Sequence, residues 1–599
     1  MTSGHVHHPG DPSFVPPAAI EGREAVLDAE GLDRGVGFLG LLWASETSII
    51  GSGWLFGALG AALIAGPSAI LGWVLGSVII LVLALVHAEL GGLFPVTGGT
   101  SRFPHYAFGS FAGATFGWAS YLQAASVAPI EVLAAVQYLS TAHWARHFFH
   151  ATAAAGAAGG TLHGAGYLAA AILLLLFVII NLFGIRYFAR INNAITTWKV
   201  AVPVVTVLIL LIGHFHGSNF GHAAGGFFTS KDPFKNILLT LPAGIIFSLL
   251  GFEQAVQIGG ESANPGRDLP RAVILSILIG AILYILIEVA FIGALKPSVL
   301  HGNGGWLGLA TSTSPTAVKL AAGPFFTLVS IAGISWLATV LRVDAVISPG
   351  GTGLMYETSS ARLSFGLSKN GFVPTAFESV NRAKVPVFGV IIATLVGVLF
   401  LLPFPSWAKL VGIVTSASVF MYAGAPVSLG AMRKQKPELP RTYRLPAAGV
   451  LAPLAFCGAG WVILFSGWQT YSTLVVALLL GYLLFWISYQ LKLNPNAPAM
   501  DWNSAPWIVT WIIGMGVIAY ISSFGPGGII GAIGFFKHIG WEGGTDPLSL
   551  GPNGSVYDTI VLSGLFNLGI YYWAVATCLP GAKIDEYVAE VYPPETGGH

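Results

Sequence analysis

Charged residues are scarce in this 599-residue sequence, and cysteine is almost absent. Asp, Glu, Lys and Arg make up 9% of the chain, whereas a soluble domain carries roughly 25%. A soluble chain of this length needs charge to cover its surface, so the scarcity excludes a water-soluble protein. Cys457 and Cys578 both fall in apolar segments and have no plausible disulfide role. A net charge of +1 gives no reason to expect a nucleic-acid partner.

Sequence motifs of enzymes are absent as well. The chain has no His-Glu-x-x-His metal pair and no Gly-x-Ser-x-Gly nucleophile turn. The glycines at 51, 53 and 57 have the wrong spacing for a dinucleotide-binding fingerprint, and Pro349-Gly-Gly-Thr-Gly353 lacks the lysine of a phosphate loop. His5, His7 and His8 lie in a polar, proline-containing segment that reads as a disordered tail rather than a metal site. The sequence therefore predicts neither an enzyme nor a bound cofactor or metal.

Apolar residues, 54% of the chain, are grouped in long runs. A helix of about 20 such residues crosses a hydrocarbon core of about 30 Å, and helices satisfy their own backbone in lipid. We therefore predict an all-α polytopic membrane protein with about fourteen transmembrane helices. The predicted spans are 36–62, 66–91, 110–140, 165–184, 191–213, 235–259, 271–295, 314–345, 386–403, 407–431, 449–467, 471–492, 506–524 and 558–577.

Basic residues predict the orientation, because Lys and Arg concentrate at the cytoplasmic ends of membrane helices. With the N-terminus inside, 18 of the 27 fall on the cytoplasmic side and seven outside, while Lys199 and Arg342 lie within spans. We expect a multi-pass protein of the cytoplasmic membrane, with cytoplasmic tails at 1–35 and 578–599.

Glycines interrupt two of the predicted spans. Gly51 and Gly53 lie in the first and Gly251 in the sixth, and each weakens a helix by about 1 kcal/mol relative to alanine. These two spans are equivalent if five helices repeat, and the blocks 36–213 and 235–431 have similar lengths. Transporters built from repeats bind substrate at such paired interruptions. Opened helices offer N–H groups to a carboxylate and carbonyls to an ammonium, although close helix packing also explains each glycine alone.

At these residues the chain resembles the amino acid–polyamine–organocation transporters. Ile50-Gly-Ser-Gly-Trp54 is similar to the unwound first helix of that family, with Trp54 where isoleucine is commoner. Gly251-Phe-Glu253, followed by the stretch Glu261–Arg271, resembles the sixth helix and its cytoplasmic end. Ser360–Pro374 resembles the loop between helices eight and nine, and Glu89–Gly99 the loop after helix two.

The resemblance implies a LeuT-type fold of five plus five inverted helices over 36–431, with alternating access around a central site. It leaves 449–577 as four additional helices without an assigned role. Gly51–Gly57 is most similar to bacterial aspartate–proton symporters. The resemblance also implies an aromatic gate at Phe247. The implied substrate-binding residues are Ile50, Gly51, Ser52, Gly53, Phe247, Ser248, Gly251 and Phe252.

Ionisable groups inside spans cost at least ~2.5 kcal/mol each at the membrane centre and are therefore functional candidates. The resemblance places Lys199 where sodium-coupled transporters bind an ion, so that a proton gained and lost there would couple transport to the proton gradient. Snorkelling to the interface is the alternative. Glu253 is expected to gate or couple, or to pair with a base at a helix end. Arg342 is a candidate contact for substrate charge, or lies at the interface. Other carboxylates in spans rank lower: Glu46, Glu131 and Glu288.

Together these features predict a secondary active amino acid transporter, with proton-coupled uptake by alternating access. An amino acid, the bilayer and protons are the expected partners. Exchange of an amino acid for an amine, or a membrane sensor that keeps the fold without transport, are the alternatives.

Overall fold

The chain is almost entirely helical in the part that the computed structural model describes. Described are residues 35–151, 160–182, 185–221, 225–229, 232–382, 385–404, 406–526, 556–589 and 591–592, with only the backbone described for 185–193. Two short strands, β1 (Phe149–His150) and β2 (Thr161–Leu162), form one antiparallel pair. The predicted all-α class is confirmed.

The described helices follow one another with short connections. In chain order they are α1 (Phe38–Ile49), α2 (Gly53–Ala65), α3 (Ala69–Leu93), α4 (Gly99–Phe108), α5 (Ser110–Leu139), α6 (Gly164–Leu182), α7 (Ile185–Gly213), α8 (Pro233–Ser248), α9 (Glu253–Gln257), α10 (Pro265–Ala294), α11 (Pro297–Gly302), α12 (Gly305–Thr311), α13 (Pro315–Ala322), α14 (Pro324–Ala332), α15 (Ser335–Lys369), α16 (Val387–Leu401), α17 (Trp407–Gln435), α18 (Ala448–Phe465), α19 (Gly467–Gln490), α20 (Pro506–Ile521), α21 (Val556–Thr577) and α22 (Gly581–Val588).

Nine helical segments in the described ranges are long and apolar enough to cross a membrane, and α8, α16 and α20 are shorter apolar helices. The first predicted span is divided between α1 and α2, and the sixth between α8 and α9. Both divisions fall at the glycines that the sequence singled out. α5 is buried along its whole length and packs against α15 and α17. It therefore forms the centre of the bundle.

The eighth predicted span is misplaced. Residues 314–345 contain α13, α14 and only the first turns of α15, a helix of 35 residues that ends at Lys369. The stretch Ser360–Pro374, compared above with a loop, begins as the last helical turns of α15. Hydropathy missed this helix because protein rather than lipid surrounds much of it, and buried polar side chains such as Ser348 and Thr352 can find partners there.

The C-terminal segment 578–599 is more than the tail predicted, because it contains α22, which packs on α4. The Asp501 carboxylate accepts hydrogen bonds from the Lys583 ammonium, from the Tyr587 hydroxyl at 2.7 Å and from the Ser110 N–H at 3.1 Å. Burial alone would raise the pKa of Asp501, but these bonds hold it below its usual range. We call these four residues the C-terminal clamp. Except for Gly35, the predicted tail 1–35, with its histidines, lies outside the described residues.

Candidate substrate and coupling site

The two helix interruptions pack directly against each other. A Cβ atom at Gly53 would lie 2.4 Å from the Ser248 Oγ and 2.8 Å from its Cα, and one at Gly251 would lie 2.6 Å from the Ile49 nitrogen. Gly251 also has φ +126°, which glycine adopts far more readily than other residues. Gly53 and Gly251 therefore allow the two interruptions to pack closely, and Gly251 also allows the backbone conformation that interrupts the sixth span.

A carboxylate already accepts a hydrogen bond from a backbone N–H group of the first interruption. The Ser52 N–H donates to the Glu131 Oε2 at 2.8 Å, and the Ser52 hydroxyl donates to the Glu131 Oε1 at 3.0 Å. The Trp407 indole donates to the same hydroxyl at 2.8 Å. Glu131 lies in the last third of α5 and is buried. The sequence ranked it below Glu253, and the structure places its carboxylate in direct contact with the interruption of the first span.

Lys199 binds the carbonyl that the same interruption frees. The Gly51 N–H donates to the Ile49 carbonyl at 3.1 Å, which leaves the Thr47 carbonyl outside the regular helical pattern. The Lys199 ammonium donates to the Thr47 carbonyl at 2.5 Å and to the Thr352 hydroxyl at 2.7 Å. It is wholly buried and so joins α7, α1 and α15. Its ammonium does not snorkel to an interface.

Glu253 ties the sixth span to three others behind the interruption. Its carboxylate accepts hydrogen bonds from the Tyr356 hydroxyl at 2.7 Å, the Tyr422 hydroxyl at 2.5 Å, the Gly251 N–H at 2.8 Å and the Gln123 amide at 3.3 Å. These groups lie on α15, on α17, in the interruption and on α5. The partners are hydroxyl and amide groups, so the pairing with a base that the sequence left open is not the arrangement observed.

A small cavity lies between the interruptions. Its volume is about 10 Å³, room for about one water molecule and too small for an amino acid. An amino acid could enter here only if the surrounding helices separated. The lining residues are Ser48, Ile49, Gly51, Gly53, Val127, Glu131, Phe247, Leu250, Thr352 and Tyr356.

Three of the predicted substrate contacts, Gly51, Gly53 and Phe247, line this cavity. The Phe247 ring lies edge-on to the Trp407 ring, with centroids 5.7 Å apart. Four others belong to the interruptions or border them but do not line the cavity: Ile50, Ser52, Ser248 and Gly251. Phe252 packs behind, its ring centroid 4.8 Å from that of Tyr422.

Arg342 and Asp344 project to different sides of α15, as their spacing predicts. The Arg342 guanidinium lies 4.3 Å from the centre of the Phe326 ring. It is about 15 Å along the helix from Thr352, given ten residues at 1.5 Å each, and it does not line the cavity. Asp344 is wholly buried and accepts hydrogen bonds from the Trp54 indole at 3.1 Å and the Trp198 indole at 2.9 Å. Trp54, the departure from the commoner isoleucine, therefore has a polar partner.

The opened helices and their ionisable neighbours define an amino acid permease, and the chain belongs to that family. The family model for amino acid permeases matches residues 36–518. Its match extends past residue 431 and so includes α18, α19 and most of α20. The predictions of the family and of an amino acid transporter rather than an enzyme are confirmed, and the fold is of the LeuT type.

The chain is similar along most of its length to curated transporters of Bacillus subtilis (strain 168). It is 33% identical over 551 residues to the glutamate/serine transporter AimA, covering 91% of this chain and 94% of that relative. It is 32% identical over 545 residues to an aspartate-proton symporter, covering 90% and 95%. The branched-chain amino acid permease BcaP is more distant, at 25% over 484 residues. The predicted similarity to aspartate–proton symporters is confirmed.

Proposed function

We propose that the chain takes up an acidic or small polar amino acid together with protons, by alternating access around the cavity between the two interruptions. The observation that carries the proposal is a pair of hydrogen bonds at the opened first helix, in which the Glu131 carboxylate accepts from the Ser52 N–H and the Lys199 ammonium donates to the freed Thr47 carbonyl. The names of the two relatives above 30% identity support the choice of substrate, since one transports glutamate and serine and the other is an aspartate–proton symporter.

Substrate recognition depends on the Ser52 N–H and hydroxyl groups, which now donate to Glu131. The substrate carboxylate takes the place of the Glu131 carboxylate at Ser52, because both present the same charge and acceptor atoms to the end of a helix. Its ammonium is bound by the carbonyls freed where α8 ends. Phe247 closes over it, Gly51 and Gly53 border it, and Gly251 lets the two interruptions pack against each other. Ile50, Ser248 and Phe252 support the interruptions from behind.

Coupling to protons follows from the burial of two ionisable groups, the Glu131 carboxylate and the Lys199 ammonium. A carboxylate that loses two hydrogen bonds in the interior remains charged only at high cost, so Glu131 takes up a proton as substrate replaces it. Lys199 supplies the switch between the two directions of opening, because its charged form ties α7 to α1 and α15, and its neutral form releases them. Glu253 transmits the rearrangement, since it links the α8–α9 interruption to α5, α15 and α17.

The proposal also includes the division of the chain. The facing interruptions support an inverted repeat of 36–213 and 235–431, with 449–577 added to this ten-helix core. Arg342 then lies toward the outer end of α15. An acidic substrate that enters from outside would contact Arg342 before it reaches the cavity.

A screen of labelled amino acids in proteoliposomes tests this function. Aspartate, glutamate or serine is expected to accumulate most strongly under an inward proton gradient and not when the gradient is collapsed. In Arg342→Gln, uptake of aspartate and glutamate should fall by about tenfold while that of serine is kept. Arg146→Gln, at an exposed position, is the matched control. Counterflow that is indifferent to the gradient would support exchange instead, and absence of any counterflow would support a sensor.

Orientation is tested with single cysteines in a background in which Cys457 and Cys578 are replaced. Arg267→Cys and Lys369→Cys should react with a membrane-impermeant maleimide only from the cytoplasmic side, and Lys319→Cys only from outside. These positions fall on opposite sides if the cytoplasmic excess of basic residues sets the topology. The reverse pattern would invert the protein in the membrane and exclude cytoplasmic termini.

A further inference from the structure

A second, larger cavity lies where α17 and α21 end and α18 begins. Its volume is about 540 Å³. Leu429, Ala452 and Val575 contribute apolar walls from α17, α18 and α21, and Tyr572 also lines it. Two arginines also line it, Arg433 at the end of α17 and Arg444 in the loop between α17 and α18. The cavity belongs to neither interruption, and transport chemistry leaves it without a role.

Arg444 differs from the other basic residues at the end of α17 and in the loop that follows it. Arg433 and Arg441 both hold the Glu89 carboxylate, at 2.6 and 3.0 Å. Lys436 pairs with Asp585 at 2.6 Å, and the Lys434 ammonium donates to two backbone carbonyls of α21. Within the described residues, Arg444 forms no ion pair or hydrogen bond, so its charge is available to a ligand.

The surface around the cavity is apolar and faces outward. Val450 is 59% exposed and Tyr572 58%, on helices that qualify as membrane spans by length and composition. Lipid chains therefore cover this surface. The positive end of the α18 macrodipole lies at Ala448, beside Arg444, and favours an anion at the same level. Tyrosines are typical of the depth at which lipid head groups lie.

We propose that this cavity binds one anionic phospholipid. Its phosphate pairs with the Arg444 guanidinium, whose planar donors suit phosphate, and one acyl chain fills the apolar space between α17, α18 and α21. Basic pockets between membrane helices bind such head groups. The lipid contacts α17, α18 and α21 at once and so fills a site that these three helices share.

The experiment is native mass spectrometry of the purified full-length chain in detergent, titrated with phosphatidylglycerol and, separately, phosphatidylcholine. The wild type should retain phosphatidylglycerol preferentially. Arg444→Ala should raise its apparent Kd about tenfold, whereas Arg382→Ala, an exposed arginine of the α15–α16 connection, should leave it unchanged. Gly449→Trp should weaken binding without altering charge, because Gly449 lines the cavity and no atom lies within 4 Å of an added Cβ.

Several outcomes would overturn the proposal. They are equal retention of the two lipids by the wild type, unchanged phosphatidylglycerol binding in the Gly449→Trp protein, or an equal loss in the Arg382→Ala control. Glycerophosphate at the same concentration should not displace the lipid, since it lacks the acyl chain. Full displacement would exclude an acyl chain in the cavity. If Arg444→Ala does not fold, Gly449→Trp and the glycerophosphate competition decide the question alone.

Discussion

Lys199→Gln is expected to lower the accumulation of substrate under an inward proton gradient at least tenfold, about 1.4 kcal/mol, while exchange without a gradient continues. Glutamine retains a donor for the Thr47 carbonyl and the Thr352 hydroxyl, the two acceptors of the ammonium, but it cannot change charge. A proton shifts the equilibrium between two conformations only through different affinities for them, so the mutant removes that influence. Exchange and net uptake are measured in the same vesicles.

Two further variants sharpen this test. Lys199→Arg should also uncouple, because guanidinium stays charged at accessible pH, whereas Lys319→Gln, at an exposed lysine of α13, should behave as the wild type. Glu131→Gln should lose gradient dependence as well if the displaced carboxylate takes up the proton. Normal accumulation by Lys199→Gln would rule out the lysine as the coupling group. Attention would then turn to Glu131 and Glu253.

Gly53→Ala and Gly51→Ala are each expected to weaken substrate binding at least tenfold. The added methyl group at Gly53 would lie 2.4 Å from the Ser248 Oγ and 2.8 Å from its Cα, so α2 and α8 must separate. At Gly51 it would lie 2.7 Å from the Thr352 Oγ1 and 2.8 Å from the Glu131 Oε1, between the two polar groups that border the cavity. Equilibrium binding to the purified protein measures the loss.

The matched control is Gly60→Ala in the same helix. Its Cβ would lie 3.6 Å from the Ala243 carbonyl oxygen, an ordinary contact, so binding should be kept. Abundance in the membrane and the melting temperature separate loss of the site from loss of the fold. Wild-type affinity in both the Gly51 and Gly53 variants would contradict the assignment of the opened helix as the substrate site.

Most of the fold could be predicted from the sequence because most helices face lipid on one side. α3 and α10 are apolar around enough of their surface that composition alone locates them. α15 could not be located in this way, since Ser348, Thr352 and Glu357 are buried against other helices and lower its mean hydropathy. A helix at the centre of a transporter is surrounded by protein and can carry polar side chains. It therefore lacks the high mean hydropathy by which membrane helices are recognised.

For the site, the sequence could predict the interrupted helices but not the side-chain contacts between helices. Gly51 and Gly53 were predictable because glycines within an apolar run indicate an interrupted membrane helix from the local sequence alone. The contact between Glu131 and Ser52 was not, since it depends on the register of α5 against α1 and α2. A carboxylate in an apolar span was visible, but nothing in one sequence chose it over Glu46, which has no hydrogen-bond partner for either oxygen in the described residues.

The C-terminal clamp makes a segment that is translated late a structural partner of one that is translated hundreds of residues earlier. Ser110 begins α5 and enters the membrane early, whereas Lys583 and Tyr587, which share the Asp501 carboxylate with it, emerge from the ribosome hundreds of residues later. Because chains emerge N-terminus first, the bundle must pass through a period in which α4 and α5 are in place without this support. Translation that stops before residue 583 therefore delivers a protein with an unclamped end, even when every preceding helix has been inserted.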